Sequence, residues 1–520
     1  MKTISRAYLS LAVFTAGMTT LAVEVSASRL LGSVFGTSNL VWANIIGLIL
    51  VYLTAGYFIG GRWADRSPNP RTFYQLLAWA AFTAGLVPLV ARPVLRFAAE
   101  AVANFDAAVM GGSFFSVLIL FSIPVTLLGC VSPFAIRLAI TDPAQAGRVS
   151  GQVYAISTLG SIVGTFLPVL WLIPTIGTIR TFLLFAGLLL VVALVGLWRA
   201  SRSRALIVLW MPLTLGALAA ATLSGYLKPT EGLIYESESA YNFIQVVQRG
   251  ETRYLLLNEG QGIHSVYDPH QLETFGTWDY FLVAPYFNAA PHSPAGVKSL
   301  ALVGLAAGTI ARQYTAVYGP LPIDGIEIDP GIVEAGRTYF DMNEPNLNVI
   351  VQDGRWALAH SAKRYSVIGV DAYRLPYIPW HLTTREFFEE ARAHLADDGA
   401  LVINVGRTFT DRRLIDALVG TLRSVFPSVY VVDVPDTFNS IVFATVQPTQ
   451  ASNLPANLAL MGDDVQPMLK DALARAVQNL QPTPASEIVF TDDVAPVEQL
   501  TNSIVINFIL SGSVYQLQGK

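Results

Sequence analysis

Residues 299–330, SLALVGLAAGTIARQYTAVYGPLPIDGIEIDP, decide how the second half of the chain folds. An apolar run, ALVGL (301–305), leads into a turn carrying Gly304 and Gly308. The next stretch, 309–318, has the spacing of an amphipathic helix, and a second apolar run, IDGIEI (323–328), closes on Glu327 and Asp329. Strand, glycine turn, helix, strand is the repeating unit of a parallel sheet covered by helices. The pattern continues through NVIVQD (348–353), YSVIGVDAY (365–373) and GALVINV (399–405), with helices predicted over 331–340, 354–359 and 384–395. Runs that are apolar on both faces suit strands buried on both sides. VYVVDV (429–434) and SIVFATV (440–446) read as closing antiparallel strands. A small antiparallel sheet is predicted upstream in LIYESES (233–239), YNFIQVVQRG (241–250) and TRYLLLNEG (252–260), with a hairpin turn over 249–252 and a helix over 278–287.

Before residue 225 the composition differs. The whole chain of 520 residues is 53% hydrophobic and 13% charged, with a mean hydropathy of +0.48. Soluble domains carry about 25% charged residues. The deficit falls in the first half, where runs over 8–31, 40–60, 73–90, 114–136, 153–173, 182–197 and 206–223 are each close to the roughly 20 residues that cross a bilayer. The first run follows Lys2 and Arg6 like a secretory signal, but its length and the spans behind it favour a retained anchor. Arginines cluster before the first span and after the second, fourth and sixth, which argues for a cytoplasmic N-terminus. Seven spans would then carry the C-terminal domain outside the cytoplasm, so its side is left open here.

Glu24 and Arg29 fall inside the first span and are expected to meet partners from other helices, or Arg29 to snorkel to the interface. Gly160 and Gly164 have the spacing of a close helix contact. The single cysteine, Cys130, excludes an intrachain disulfide and a cysteine metal cluster, and it reads as a buried thiol. No metal site is expected. A net charge of −4 argues against a nucleic-acid partner.

The fold class expected is a multi-pass α-helical membrane domain fused to an α/β domain, a doubly wound Rossmann-like sheet preceded by a small antiparallel β-subdomain. The boundaries are 1–225 for the spans, 230–290 for the β-subdomain, 298–450 for the sheet domain and 451–520 for a C-terminal tail. Sheets of this kind bind ligands beyond the carboxyl ends of their strands. Gly304 and Gly308 would let the backbone approach a nucleoside. Glu327, about 20 residues past the glycine turn, suits ribose hydroxyls. Asp329, before Pro330, suits a helix cap. Asp353 and Gly354 could face an adenine edge, cap the next helix, or both. Asp371 projects from the end of an apolar strand and is the catalytic candidate; the structural alternative is a cap for the loop behind it. The loop YRLPYIPWHLTTREFF (373–388), with Pro379, could close over a ligand or simply pack.

The order of SAYN, VGLAAG, GIEID, QDG, VDAY and LTTREFF resembles the spermidine synthase family of polyamine aminopropyltransferases over about residues 233–447. The spans and LLLNEGQGIHSVY (255–267) look like its membrane-fused branch. The resemblance implies transfer of an aminopropyl group from decarboxylated S-adenosylmethionine to an amine such as putrescine, no tightly bound cofactor, and a homodimer. It implies Asp371 as base, Glu327 at the ribose, Asp353 and Gly354 at the adenine, and Asn242 where the family has a nucleoside-binding glutamine. Four positions depart from the family pattern. Ala307 replaces an aspartate of the glycine turn, and Arg374 replaces a second aspartate after Asp371. Asp279 stands for a polyamine-contacting histidine, and His264 lies near a usual glutamine. The nucleoside half reads as kept and the amine half as rewritten. Two other readings stay open: an S-adenosylmethionine-dependent transferase with another acceptor, whose donor carboxylate Arg374 could meet, and a non-catalytic nucleoside or polyamine sensor coupled to a membrane transporter.

Overall fold

The computed structural model describes residues 5–35, 39–103, 108–222, 230–258, 262–373, 378–462, 465–483 and 485–510. The chain divides into two compact units. The first comprises Met1–Pro229 with Ser237–Phe243, and the second comprises Thr230–Glu236 with Ile244–Lys520.

The first unit is helical. Among the described residues, seven helices are long and apolar enough to cross a membrane: Arg6–Gly32, Val41–Arg66, Pro70–Ala91, Phe114–Ala139, Pro143–Ile176, Thr178–Ala200 and Arg202–Ala221. Their outward faces carry Phe58, Leu170, Trp171 and Leu213, all more than 60% exposed, an arrangement suited to hydrocarbon rather than water. Gly160 and Gly164 lie against the main-chain carbonyls of Phe14 and Met18, so a Cβ at either would collide with the first helix. Pro168 opens a π-helical turn over Pro168–Leu172; its missing N–H breaks the regular ladder there. Cys130 is buried. The Arg29 guanidinium donates to the carbonyl of Ala240. In the same segment the Glu238 carboxylate accepts the Thr178 N–H at 2.6 Å, at the start of the helix Thr178–Ala200. An acid at that end is favoured by the helix dipole.

The second unit holds two sheets. The smaller runs β1 (Leu233–Glu238), β2 (Phe243–Arg249), β3 (Thr252–Leu257), β4 (Ile263–Tyr267) in that order. Arg249 pairs with Thr252 across a tight turn, with Gly250 at φ +63°, as the sequence predicts. The larger sheet contains β5 (Leu300–Val303), β6 (Ile323–Glu327), β7 (Leu347–Val351), β8 (Tyr365–Val370), β9 (Leu395–Gly406), β10 (Ser428–Asp433), β11 (Asn439–Thr445) and β12 (Leu480–Gln481). Its order is β12-β10-β11-β9-β8-β5-β6-β7, with β5 to β9 parallel and the remaining pairs antiparallel. The chain order reverses between β5 and β8, and that switch point is where a crevice opens at the strand ends.

Alternation along the strands builds the two faces. Leu300 and Leu302 enter one core with the 3₁₀ helix Thr277–Phe287, while Ala301 and Val303 enter the other with Phe387, Phe388 and Leu418. The stretch expected as a C-terminal tail is instead part of this unit. Met468, Leu469, Ala472, Leu473 and Ala476 form a buried stripe on the helix Pro467–Gln478, and β12 extends the sheet by pairing with β10. The helix Val497–Leu510 packs on Arg413–Arg423.

Candidate active site

β5 ends in a turn in which three of five residues are left-handed: Gly304 at φ +92°, Ala306 at +48° and Gly308 at +87°. Gly304 is required by closeness as well as by φ. A Cβ there would stand 2.5 Å from the Asp371 carbonyl oxygen. The absence of that one carbon lets the turn lie against the end of β8. Gly308 is the N-cap of the helix Thr309–Tyr318, whose first N–H groups have no acceptor within the helix.

Glu327, the last residue of β6, is 8% exposed. One carboxylate oxygen accepts the Ala306 N–H at 2.9 Å, and the other accepts the Asp329 N–H at 3.1 Å. Burial pushes its pKa up to about 7, against the pull of those backbone donors. The folded value lies above the ordinary carboxyl range, so stability that Glu327 contributes below about pH 4.5 is lost as the pH rises toward about 7. Asp329 caps the helix Pro330–Tyr339, accepting the Gly331 N–H at 2.9 Å, as its place before proline suggests.

Asp353 does two things at once. One oxygen caps Gly354–Ala359 by accepting the Trp356 N–H at 2.9 Å, and the other lies 3.2 Å from His381 Nε2. Gly354 fits over Val303, whose Cγ1 would be 2.5 Å from an added Cβ. Gly304 against Asp371, Ala306 on Glu327 and Gly354 over Val303 therefore gather four expected residues around the end of β5.

Asp371 follows β8 directly. Asn404 donates to one oxygen at 3.0 Å, and the Trp278 indole N–H donates to the other at 3.1 Å. Asn404 is itself held by Asn439, whose side-chain amide donates to it at 2.9 Å. Asp371 keeps some open surface, yet it sits deep enough that desolvation raises its pKa, opposed by the Asn404 and Trp278 hydrogen bonds. The result is an oriented carboxylate with free lone pairs and increased basicity, the attributes of a general base.

Asp279 is fully buried and accepts from Thr274 N–H and Oγ1, Phe275 N–H, Gln313 and Arg475 at 2.7–3.1 Å. Its oxygens are saturated by the protein, which corrects the expectation that it meets a substrate amine. Its neighbour Trp278 is the residue that reaches the site. His264 lies in β4, and burial pushes its imidazole down to about 4, leaving it neutral at physiological pH. Ser265, beside it, supports the glycine turn by accepting the Ala307 N–H at 3.0 Å. Ala307 itself is buried against Ile244, Val246 and Ile332. Pro379 precedes the 3₁₀ turn Trp380–Leu382 and is half-buried. Asn242 belongs to the helical unit, its backbone N–H bound to Ser239 Oγ at 2.8 Å. Arg374 lies outside the described residues.

Three residues of the site were not singled out from the sequence. Asn404 had a usable signal: it is the lone polar residue in ALVINV, and with Val370 paired to Ile403 it stands level with Asp371. His381 stood unremarked in the loop. Trp278 is 93 residues from Asp371 and carried no local signal.

Residues 296–455 match the family model of the spermine/spermidine synthase domain. A probable polyamine aminopropyl transferase of Bifidobacterium longum is 33% identical over 298 residues, covering 54% of this chain; the chain spans 64% of that relative's length. A polyamine aminopropyltransferase of Vibrio vulnificus is 27% identical over 272 residues, 50% of this chain and 84% of its own. A probable spermidine synthase structure from Corynebacterium glutamicum shares 22% identity over 46% of this chain and 89% of its own, with a TM-score of 0.38. The domain match falls in the α/β unit, and the two relatives are named for aminopropyl transfer.

Proposed function

We propose that the α/β unit, with its spermine/spermidine synthase domain match, transfers an aminopropyl group from decarboxylated S-adenosylmethionine to an amine, and that the helical unit spans a lipid bilayer. The observation that carries the first part is the oriented, desolvated Asp371 placed against the glycine turn that also holds Glu327. The second part rests on seven apolar helices with lipid-suited outer faces.

In this reading Glu327 accepts the ribose hydroxyls and Asp353 accepts from the adenine amino group. The donor brings a sulfonium and the acceptor an ammonium titrating near 10.4, as lysine does. Asp371 orients the amine and receives its proton. The nitrogen lone pair then attacks the methylene carbon beside sulfur. A C–N bond forms, the C–S bond breaks, and its electron pair neutralises the sulfonium to give methylthioadenosine. Ala307 carries no acid where the family places one, and Asp279 is committed to Arg475. The acceptor pocket is therefore less anionic than one built for a diamine, which favours an acceptor with fewer or more widely spaced charges. Neutral His264 adds no repulsion toward a cation.

Product analysis tests this. Full-length protein is incubated with decarboxylated or ordinary S-adenosylmethionine and a panel of mono- and diamines. Methylthioadenosine released from the decarboxylated donor is the expected result. S-adenosylhomocysteine released from the ordinary donor would replace the reading with a methyl transfer. Neither product, with an adenosine compound bound, would leave a sensor.

Glu327→Gln gives a second check. Ribose hydroxyls bind best to an ionised acceptor, and hydrogen bonds to charged groups contribute about 1.5–3 kcal/mol. The variant is expected to bind methylthioadenosine roughly 10- to 100-fold more weakly. Parent affinity should strengthen as the pH rises through about 7, with proton release on binding, and the Gln variant should lose that dependence. Calorimetry in two buffers of different ionisation enthalpy reads both quantities.

A further inference from the structure

We propose that Asp492, in the segment after the helix Pro467–Gln478, is a positioning residue for the nucleoside end of the site, acting through Arg355 and His381 on Asp353. The proposal rests on the reading of Asp353 and Gly354 as the adenine-facing step.

Arg355 follows that step immediately, and its side chain is 18% exposed. Its guanidinium grips two carboxylates. Nε and Nη2 reach Glu390 at 2.9 and 2.7 Å, and Nη1 and Nη2 reach Asp492 at 2.7 and 2.8 Å. Two bidentate pairs on one planar group fix its orientation far more tightly than a single surface ion pair could. From that fixed position Nη1 also donates to the His381 carbonyl at 3.3 Å, and the His381 ring stands 3.2 Å from the Asp353 oxygen that is not engaged in capping. Asp492, Arg355, His381 and Asp353 thus form one chain of contacts ending at the candidate adenine acceptor.

The segment holding Asp492 is itself anchored. Phe490 is 2% exposed; its N–H donates to Thr421 Oγ1 at 2.9 Å and its carbonyl accepts the Arg385 N–H at 2.8 Å. The Asp492 N–H donates to Glu386 at 3.0 Å, and Thr384 Oγ1 donates to the Asp492 carboxylate at 2.7 Å. Thr384 is the cap of the helix Arg385–Ala393, and it closes the loop that begins after Asp371. The Arg355 and Thr384 hydrogen bonds hold the Asp492 carboxyl below its ordinary range, so it stays charged at neutral pH. A segment far along the chain therefore sets where His381, Thr384 and the Asp353 carboxylate rest. Asp492 in TDDVAP (491–496) gains a definite task from this geometry, one that neither proton transfer nor amine binding needs.

The test uses the full chain in detergent, with methylthioadenosine as the binding probe and steady-state KM for donor and amine measured separately. Asp492→Asn is expected to weaken methylthioadenosine binding about tenfold and to raise the donor KM alike, with the amine KM and the kcat at saturating donor within about twofold of the parent. Asp492→Glu should recover most of the loss. Asp493→Asn removes the same charge from the neighbouring position and should change neither quantity. Binding by Asp492→Asn within about twofold of the parent would overturn the proposal. So would an amine KM raised as much as the donor KM, which marks general loosening of the fold. Parent protein that binds no methylthioadenosine would overturn the nucleoside reading itself, a distinguishable failure.

Discussion

Asp371→Asn is expected to lower the rate of aminopropyl transfer by roughly 10²- to 10⁴-fold, the range removed with a positioned general base. The substitution keeps the shape of the side chain and one oxygen for hydrogen bonding. It removes the charge that attracts an ammonium and the site that takes its proton. Methylthioadenosine binding should change little, because the ribose and adenine acceptors are at the ends of β6 and β7. Single-turnover rates with saturating donor, set beside equilibrium binding of methylthioadenosine, separate the two effects. The pH profile adds a further signature. Burial raises the Asp371 pKa, so the parent rate should fall on acidification at a higher pH than an exposed aspartate would give. The Asn variant should have lost that limb. A variant with the parent's rate would remove Asp371 from the chemistry.

Gly304→Ala is expected to cost about 2–5 kcal/mol of stability in the α/β unit. Two terms contribute. A left-handed conformation at φ +92° costs a residue bearing a Cβ roughly 1–2 kcal/mol. The added carbon would also stand 2.5 Å from the Asp371 carbonyl oxygen and 2.7 Å from the Ala372 nitrogen, both backbone atoms that cannot rotate away. Displacing them costs a further 1–3 kcal/mol on the scale of overpacked cores. The displacement moves the Asp371 backbone directly, so activity should fall even at temperatures where the variant is folded. Thermal unfolding followed by circular dichroism gives the first quantity. Turnover well below the melting transition gives the second. An unchanged melting temperature would mean that the turn does not press on β8 as described.

The physical basis of what could be read in advance is local. The helices Thr309–Tyr318 and Gly354–Ala359 and the 249–252 hairpin depend on periodicity, caps and a glycine in the turn, all of which act within a few residues. The same holds for the strand ends that carry Glu327, Asp353 and Asp371. What escaped depends on contacts between distant segments. Trp278 and Asp279 are adjacent, and only tertiary packing decides that the indole meets Asp371 while the carboxylate is claimed by Arg475 and Gln313. Proline and asparagine introduce the segment beyond 451 and suggest a tail. The stripe Met468, Leu469, Ala472, Leu473, Ala476 already had a helical period and pointed to a buried face. β4 was missed because its pairing with β3 slips at Leu255/Leu256, which interrupts the alternation a regular strand would show.

An experimental structure of the full chain with methylthioadenosine and an amine bound reads the site directly. The ribose hydroxyls are expected on Glu327, the adenine amino group at Asp353, and the amine nitrogen on Asp371 with the thioether sulfur beside it. A nucleoside bound elsewhere, such as in the open crevice lined by Thr408, Asp411, Arg412 and Arg413, would contradict that placement.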